Sequence, residues 1–512
     1  MRRKLQKFIT KSFGVAVLLS MLVGIAACNT NKDTATANNG RAPAEGSEYG
    51  GSVVIGITQE PGTFDPHTVV AAGDEEILFN IYEGLYKFNS EGNLEECLAT
   101  SCVPSEDACE FVFTIREGVM FHNGEEMTVD DVVYSIERAA EYISELETIE
   151  SVEAISDTEV KIVLTSANSE FYSLLTFGIA PRSVEDLHVT PVGTGPFKLE
   201  KYEIGQSITL VRNDNYWQDS LPYLDSVVFK ICSDMDSALL ELSHGNIDII
   251  PHITMDRTNG LPENFEVVTM PSNMVQLLAL NNSVAPFDNV EVRRALSYAL
   301  DRQELIDLSM DGAGVALTTV MSPAMGDSYN SEVDGSFEYN PELAMELLAE
   351  AGYPDGFDMT ITVASEYLVH VNTAVAIADQ LSAVGINATI EQVDWNTWLS
   401  DVYTNHDYEA SVVCLTSMFA PYDVVSRYHS ENSGNFVCFA NEDIDNIIDE
   451  IPTILAEDDR IAAYHSLLEM LVEECPSVYI QDPAEVTVVN SMLQGYEVYP
   501  MYVQDLSTTR YY

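Results

Sequence analysis

Cations are scarce in this chain: 23 Lys and Arg stand against 82 Asp and Glu in 512 residues, a formal charge of −59. Phosphate binding needs clustered Lys and Arg, so nucleic acid is excluded as a partner. The acids come as scattered pairs such as Glu95-Glu96, Asp130-Asp131 and Asp458-Asp459. That is the pattern of a solvated surface, with attraction of cationic solutes as the functional alternative. No CxxC occurs, which excludes a zinc ribbon or a thioredoxin-type motif. Cys102 and Cys109 flank the turn Pro104-Ser105-Glu106-Asp107, where they either bond or stay as small buried hydrophobes. GxSxG, HExxH and SxxK are all missing, and Gly193-Thr194-Gly195-Pro196-Phe197 lacks the third glycine and helix start of a dinucleotide loop. No cofactor or catalytic residue is therefore expected. A secreted hydrolase using paired carboxylates is the distant alternative. His244, Asp248 and His252 recur at four-residue spacing, but no Cys or Glu completes a metal set, so they read as a turn.

Beyond the N-terminus no apolar run is long enough to span a membrane. The N-terminus itself carries Arg2, Arg3, Lys4, Lys7 and Lys11, then an uncharged stretch over 13–27 that ends Ala26-Ala27 before Cys28. Short, apolar and closed by small residues, this is the build of a cleaved secretory signal. It resembles a bacterial lipobox. The resemblance implies a signal peptide over 1–27, cleavage ahead of Cys28, lipid on the Cys28 sulfur and anchoring to the outer face of the cytoplasmic membrane. Residues 28–51, rich in Asn, Thr, Ala, Gly and Ser, read as a flexible tether. The remaining 460 or so residues suit two or three domains.

Periodicity gives the elements. The β-branched run 53–57 reads as a buried strand, and alternation marks strands at 111–115, 160–164 and 208–211. Thr128 with Asp131 resembles a capping box opening a helix through Val132, Val133 and Ile136. Asp288 is placed to cap a helix carrying Val292, Ala295, Leu296, Ala299 and Leu300. Asn340-Pro341 starts another helix, and a third through Ile377, Leu381 and Val384 stops at Gly385 before a strand at 386–390. Helix-to-strand units of this kind make the second half α/β.

Four segments in order, FVFTIREGVMFHNGEEMTVDDVVYSIER (111–138), PVGTGPFKLEKYEIGQSITLVRNDNYWQDSLPYLDSVVFK (191–230), the stretch 278–302 with FDNVEVRRALSYALDR, and YNPELAMELLAEAGY (339–353), resemble the solute-binding proteins of ABC importers in the oligopeptide, dipeptide and nickel-binding family, family 5. The resemblance runs from about Ser52 to the C-terminus. It implies an α/β, two-lobed periplasmic-binding-protein-like fold of type II, with a ligand cleft between lobes joined by a hinge. On that pattern lobe one holds 52–73, 190–280 and 483–512, an extra subdomain holds 74–189, and lobe two holds 281–482. The implied protein is an extracytoplasmic monomer, not an enzyme, that captures a peptide or peptide-like solute and delivers it to an ABC permease. Capture of nickel or another metal chelate is the alternative.

Peptide-binding members anchor the ligand amine with an Asp on a lobe-two loop, but here Ser417 or Met418 falls at that position. Ala420-Pro421-Tyr422-Asp423 instead resembles the loop of nickel-binding members, which makes Met418, Phe419, Tyr422 and Asp423 pocket candidates. Those members also use an Arg before a stretch like Leu174 to Pro181, and none stands there, which disfavours an anionic chelate. Trp395 and Trp398, three apart, are candidates for stacking on a ligand or for the core. Asp74 and Glu75, after the first strand and loop, are candidates for an acidic cleft wall. No residue is assigned to a metal.

Overall fold

The computed structural model describes residues 41–43, 47–69, 71–416 and 420–512. The expectations for the signal peptide, Cys28, and the loop residues Met418 and Phe419 lie outside the described residues. Among the described residues no helix is long and apolar enough to cross a membrane.

In the strand Ser52–Ile57 successive side chains point to opposite faces, and both faces are covered. Val53 and Ile55 enter one apolar core and Val54 another. Burial on both sides is why this strand reads as an unbroken β-branched run. It pairs in parallel with Ser226–Ile231 and Ile249–Ile250. The second half repeats the logic around Met274–Leu280, where Val275, Leu277 and Ala279 face one core while Leu278 and Leu280 face the other. Beside it lie three mutually parallel strands, Ala410–Thr416, Asp358–Ala364 and Asn387–Val393. The helix Pro341–Glu350 opens at Asn340, whose side chain accepts the Leu343 N–H at 3.0 Å. The helix Val290–Tyr298 is capped by Asn289, which accepts from Glu291 N, and not by Asp288. Its buried face carries the expected Val292, Ala295 and Leu296.

One long strand, Ser477–Asn490, joins the halves into a 12-stranded mixed sheet. Its first part pairs with Met274–Leu280, and its second with Phe265–Pro271 and Ile249–Ile250. The result is a two-lobed α/β fold with separate cores on either side of a crossing. The outgoing crossing lies at Ser272 and Asn273, earlier than the expected boundary after residue 280. Met274–Leu280 pairs along its whole length with Ala410–Thr416, which commits it to the second lobe. The return strand Ser477–Asn490 passes through Asp482 and Pro483.

A separate four-stranded antiparallel sheet, in the order Ala99–Pro104, Glu110–Ile115, Glu159–Leu164 and Ile149–Ala154, carries the helix Val129–Ala139 and its own core. The Thr128 N–H donates to Asp131 at 3.0 Å, closing the helix start. This core begins at Leu85, whereas Ile77 and Leu78 of the helix Ala72–Leu78 pack into the first lobe. The subdomain therefore starts about ten residues later than position 74.

Two of the motifs that carry the resemblance meet at Glu83. Its buried carboxylate accepts from Thr194 Oγ1 at 2.8 Å, Tyr216 OH at 2.7 Å and Trp217 Nε1 at 2.9 Å. Burial raises the Glu83 pKa, with the three hydrogen bonds opposing. Arg116 lies 4.1 Å over the Trp217 ring. That contact of Arg116 with Trp217 ties the subdomain to the first lobe. The subdomain also touches the second lobe, where Arg460 Nε stands 3.3 Å from Glu170 and Arg460 Nη2 donates to Tyr172 OH at 2.9 Å.

The tether expected over 28–51 is fixed at its far end. Arg41 Nη2 donates to Gly245 O at 2.6 Å and to Asp248 at 3.0 Å, and Gly50 N donates to Tyr223 O at 2.8 Å. Polar composition concealed this because the docking rests largely on long-range polar contacts of Arg41 and Gly50, with Ala42 packed on the first-lobe core. All the described cysteines are free, Cys102 and Cys109 included.

Candidate functional site at the lobe crossing

In parallel α/β sheets the carboxyl ends of strands are where loops build sites. In the first lobe Ser52–Ile57 and Ile249–Ile250 run parallel and both end toward the crossing, because His252, two residues past Ile250, meets Glu485 on the return strand. In the second lobe Ala410–Thr416 ends beside Met274, again at the crossing. The two carboxyl edges thus open onto the same place, with the hinge strands between them.

Asp482 holds that crossing together. Its buried carboxylate accepts the backbone N–H groups of Ser272 at 2.9 Å, Asn273 at 3.1 Å and Met274 at 3.3 Å, and the hydroxyls of Ser272 and Ser322. Asn273 sits in the left-handed region with φ +58°, a turn that Asn tolerates better than most residues. Burial raises the Asp482 pKa to about 6, the hydrogen bonds from Ser322 and Ser272 opposing.

On the first-lobe edge His252 lies between two carboxylates, Nε2 at 2.6 Å from Glu76 and Nδ1 at 2.7 Å from Glu485, with the Tyr502 ring stacked at 4.4 Å. Burial favours the neutral ring, but hydrogen bonds to Glu485 and Glu76 outweigh it and raise the pKa to about 10. His252 is therefore an imidazolium in an acidic wall. Neighbouring Asp74 is buried and accepts the Gly62 N–H at 2.9 Å, so it holds the loop after the first strand. Glu75 is half-buried, and burial together with Asp74 raises its pKa.

The second-lobe edge is aromatic. Trp395 and Trp398 stack at 5.1 Å with nearly parallel rings. Trp398 is 3% exposed and donates to Ser411 Oγ at 2.9 Å, a core residue, and Trp395 packs partly buried against the same core. Trp395 is half-buried and meets Tyr367 edge-on at 5.3 Å, just past the ends of Asn387–Val393 and Asp358–Ala364. Tyr422 packs partly buried against the same core, and Asp423 is exposed in the first turn of the helix Pro421–Ser426. Arg427, at the end of that helix, reaches back to donate to Thr416 O at 2.5 Å.

Sequence reasoning missed Tyr367, Arg427, Asp482, Glu485 and Tyr502. Asn273 and Asp482 sit more than two hundred residues apart, and only the sheet register brings them together. His252 was noted, but with Asp248 as its neighbour. In the structure Asp248 faces Arg41 instead.

Residues 93–435 match bacterial extracellular solute-binding proteins, family 5 Middle. The chain is 27% identical to the oligopeptide-binding protein AppA of Bacillus subtilis, covering 95% of this chain and 96% of AppA. It is 26% identical to the glutathione-binding protein GsiB of Escherichia coli, over 88% of this chain and 92% of GsiB. Among solved structures, HbpA2 from Haemophilus parasuis superposes with a TM-score of 0.83 at 22% identity, covering 90% of this chain and all of that one. AppA from Bacillus subtilis in complex with a nonapeptide superposes at 0.66 with 26% identity, covering 91% of this chain and all of that one.

Proposed function

Because the chain belongs to the bacterial extracellular solute-binding proteins of family 5, we propose that it is the receptor of an ABC importer, capturing a peptide or peptide-like solute and handing it to the permease. The family consists of binding proteins and not enzymes. The observation that carries the reading is the pair of carboxyl edges facing one crossing, an acidic wall at His252, Glu76 and Glu485 opposite an aromatic one at Trp395 and Tyr367. A peptide suits both walls, since it offers N–H donors and apolar side chains together. The oligopeptide and glutathione ligands named for AppA and GsiB support the same class.

The proposed contact residues are Trp395, Tyr367, Tyr422, Asp423 and Glu75, with Met418 and Phe419 on the adjoining loop. Asp74 shapes the loop at Gly62. Lobe one is taken as 52–84, 193–272 and 483–512, the subdomain as 85–192 and lobe two as 273–482. The lipobox supports anchoring through Cys28, with the chain working as a monomer on the outer face of the membrane.

Native mass spectrometry of protein purified without refolding tests the proposal. The expected result is a retained mass matching a peptide, raised thermal stability on adding it back, and no turnover. A retained metal chelate without peptide, or release of cleaved products, contradicts it.

A further inference from the structure

The subdomain is inserted in the chain of the first lobe, and side chains fix it there. Arg138 Nη1 donates to Asp65 at 2.8 Å, His67 Nε2 lies 2.8 Å from Gly178 O, and His122 Nε2 lies 3.0 Å from Gly195 O. The subdomain therefore moves with that lobe. Against the second lobe it makes a seam of another kind, which no chain crosses. The Ser169 N–H donates to Pro452 O at 2.8 Å and the Ser169 hydroxyl to Ile451 O at 3.3 Å. Glu170 holds Arg460 Nε at 3.3 Å and accepts the Tyr464 hydroxyl, while Arg460 Nη2 donates to Tyr172 OH at 2.9 Å. Ser169, Arg460 and Tyr464 are all buried, and Phe88 of the subdomain packs on Ala324 of the second lobe as well.

The two walls of the cleft are not joined in this way. Among the described residues no hydrogen bond, ion pair or ring contact links Trp395 or Tyr367 to His252, Glu75 or Tyr502. The arrangement that makes the seam is thus one that leaves the walls apart.

Resting on the reading of the chain as a receptor that closes on its solute, we infer that this seam is a latch on the spread cleft, released when the lobes close. The second lobe turns about the strands at Ser272 and Asp482, while the subdomain stays with the first. Hydrogen bonds weaken steeply outside a narrow range of distance and angle, so bonds spread from Ile451 to Tyr464 cannot all survive that turn. Release parts the buried Arg460 from Glu170 and Tyr172, and the cost of leaving those groups unpaired opposes closure. None of the seam residues is among the proposed solute contacts. Weakening the seam destabilises the spread form alone, which tightens binding of every solute by the same factor.

Calorimetric titration with a panel of short unblocked peptides tests this, on the mature protein and on Tyr172→Phe and Glu170→Gln. Tyr172→Phe removes one hydroxyl and no charge, and it keeps the ring that lies 5.5 Å from Tyr86. It is expected to bind each peptide that the unaltered protein binds about fivefold more tightly. Glu170→Gln is expected to bind them more tightly still. Unchanged or weaker binding by Tyr172→Phe, or a gain confined to some peptides, overturns the inference while leaving the peptide reading intact. Failure of every peptide to bind the unaltered protein overturns both. Tyr172→Phe decides the matter alone where Glu170→Gln melts early.

Discussion

At the scale of single residues, neighbours in sequence are divided between support and contact. Trp395 and Trp398 stack on each other, yet only Trp398 is sealed in the core and bonded to Ser411. Trp398→Ala is expected to cost about 3 to 5 kcal/mol of stability, as large core truncations do. Trp395→Ala is expected to leave stability within about 1 kcal/mol and to weaken solute binding about tenfold or more. Chemical denaturation and calorimetry on the two variants check this, and equal losses of stability contradict the division. Asp74 and Glu75 split likewise, one committed to the Gly62 N–H and the other half-buried on the same edge. Spacing singled out the tryptophans, and position after the first strand and loop singled out the acids, but which member is buried depends on how the loop after each strand turns.

At the scale of elements, the crossing is built on one carboxylate. Asp482 gathers the three N–H groups of Ser272, Asn273 and Met274 where the chain changes lobes. Its folded pKa of about 6 lies above the ordinary 3.8, so the folded state holds this proton more tightly than the unfolded one. The group's contribution to stability is therefore fully present below about pH 4 and falls as pH rises toward 6. The melting temperature of the unaltered protein minus that of Asp482→Asn is expected to fall across that window and to level off above it. A difference constant with pH contradicts the assignment.

Local elements were readable in advance because their causes are local. Asn340 before Pro341 caps its helix, and the run 53–57 is the doubly buried strand it was taken to be. Elements set by distant partners were not. Met274–Leu280 alternates as any buried strand does, and its lobe is decided by Ala410–Thr416, more than a hundred residues on. The Glu83 clasp joins Thr194, Tyr216 and Trp217, more than a hundred residues away, so the two motifs were visible but their common purpose was not.

At the scale of the whole molecule, the charge of −59 leaves few cations, and most of the arginines described are spent on structure. Arg41 closes the segment before the first strand onto the first lobe, Arg460 joins the second lobe to the subdomain, and Arg427 holds Thr416 O at the end of Ala410–Thr416. The subdomain is tied to the first lobe where Arg116 lies over Trp217 and touches the second through Glu170. Closure of the cleft then turns on the strands at Ser272 and Asp482, and a solute drives it by bonding both walls at once.

Small-angle X-ray scattering of the mature protein, with and without a saturating peptide that calorimetry shows to bind, tests this most directly. The radius of gyration is predicted to fall on binding, and to stay nearer the open value in Trp395→Ala at the same peptide concentration. An unchanged radius in the saturated, unaltered protein would contradict capture by closure of two lobes about this crossing.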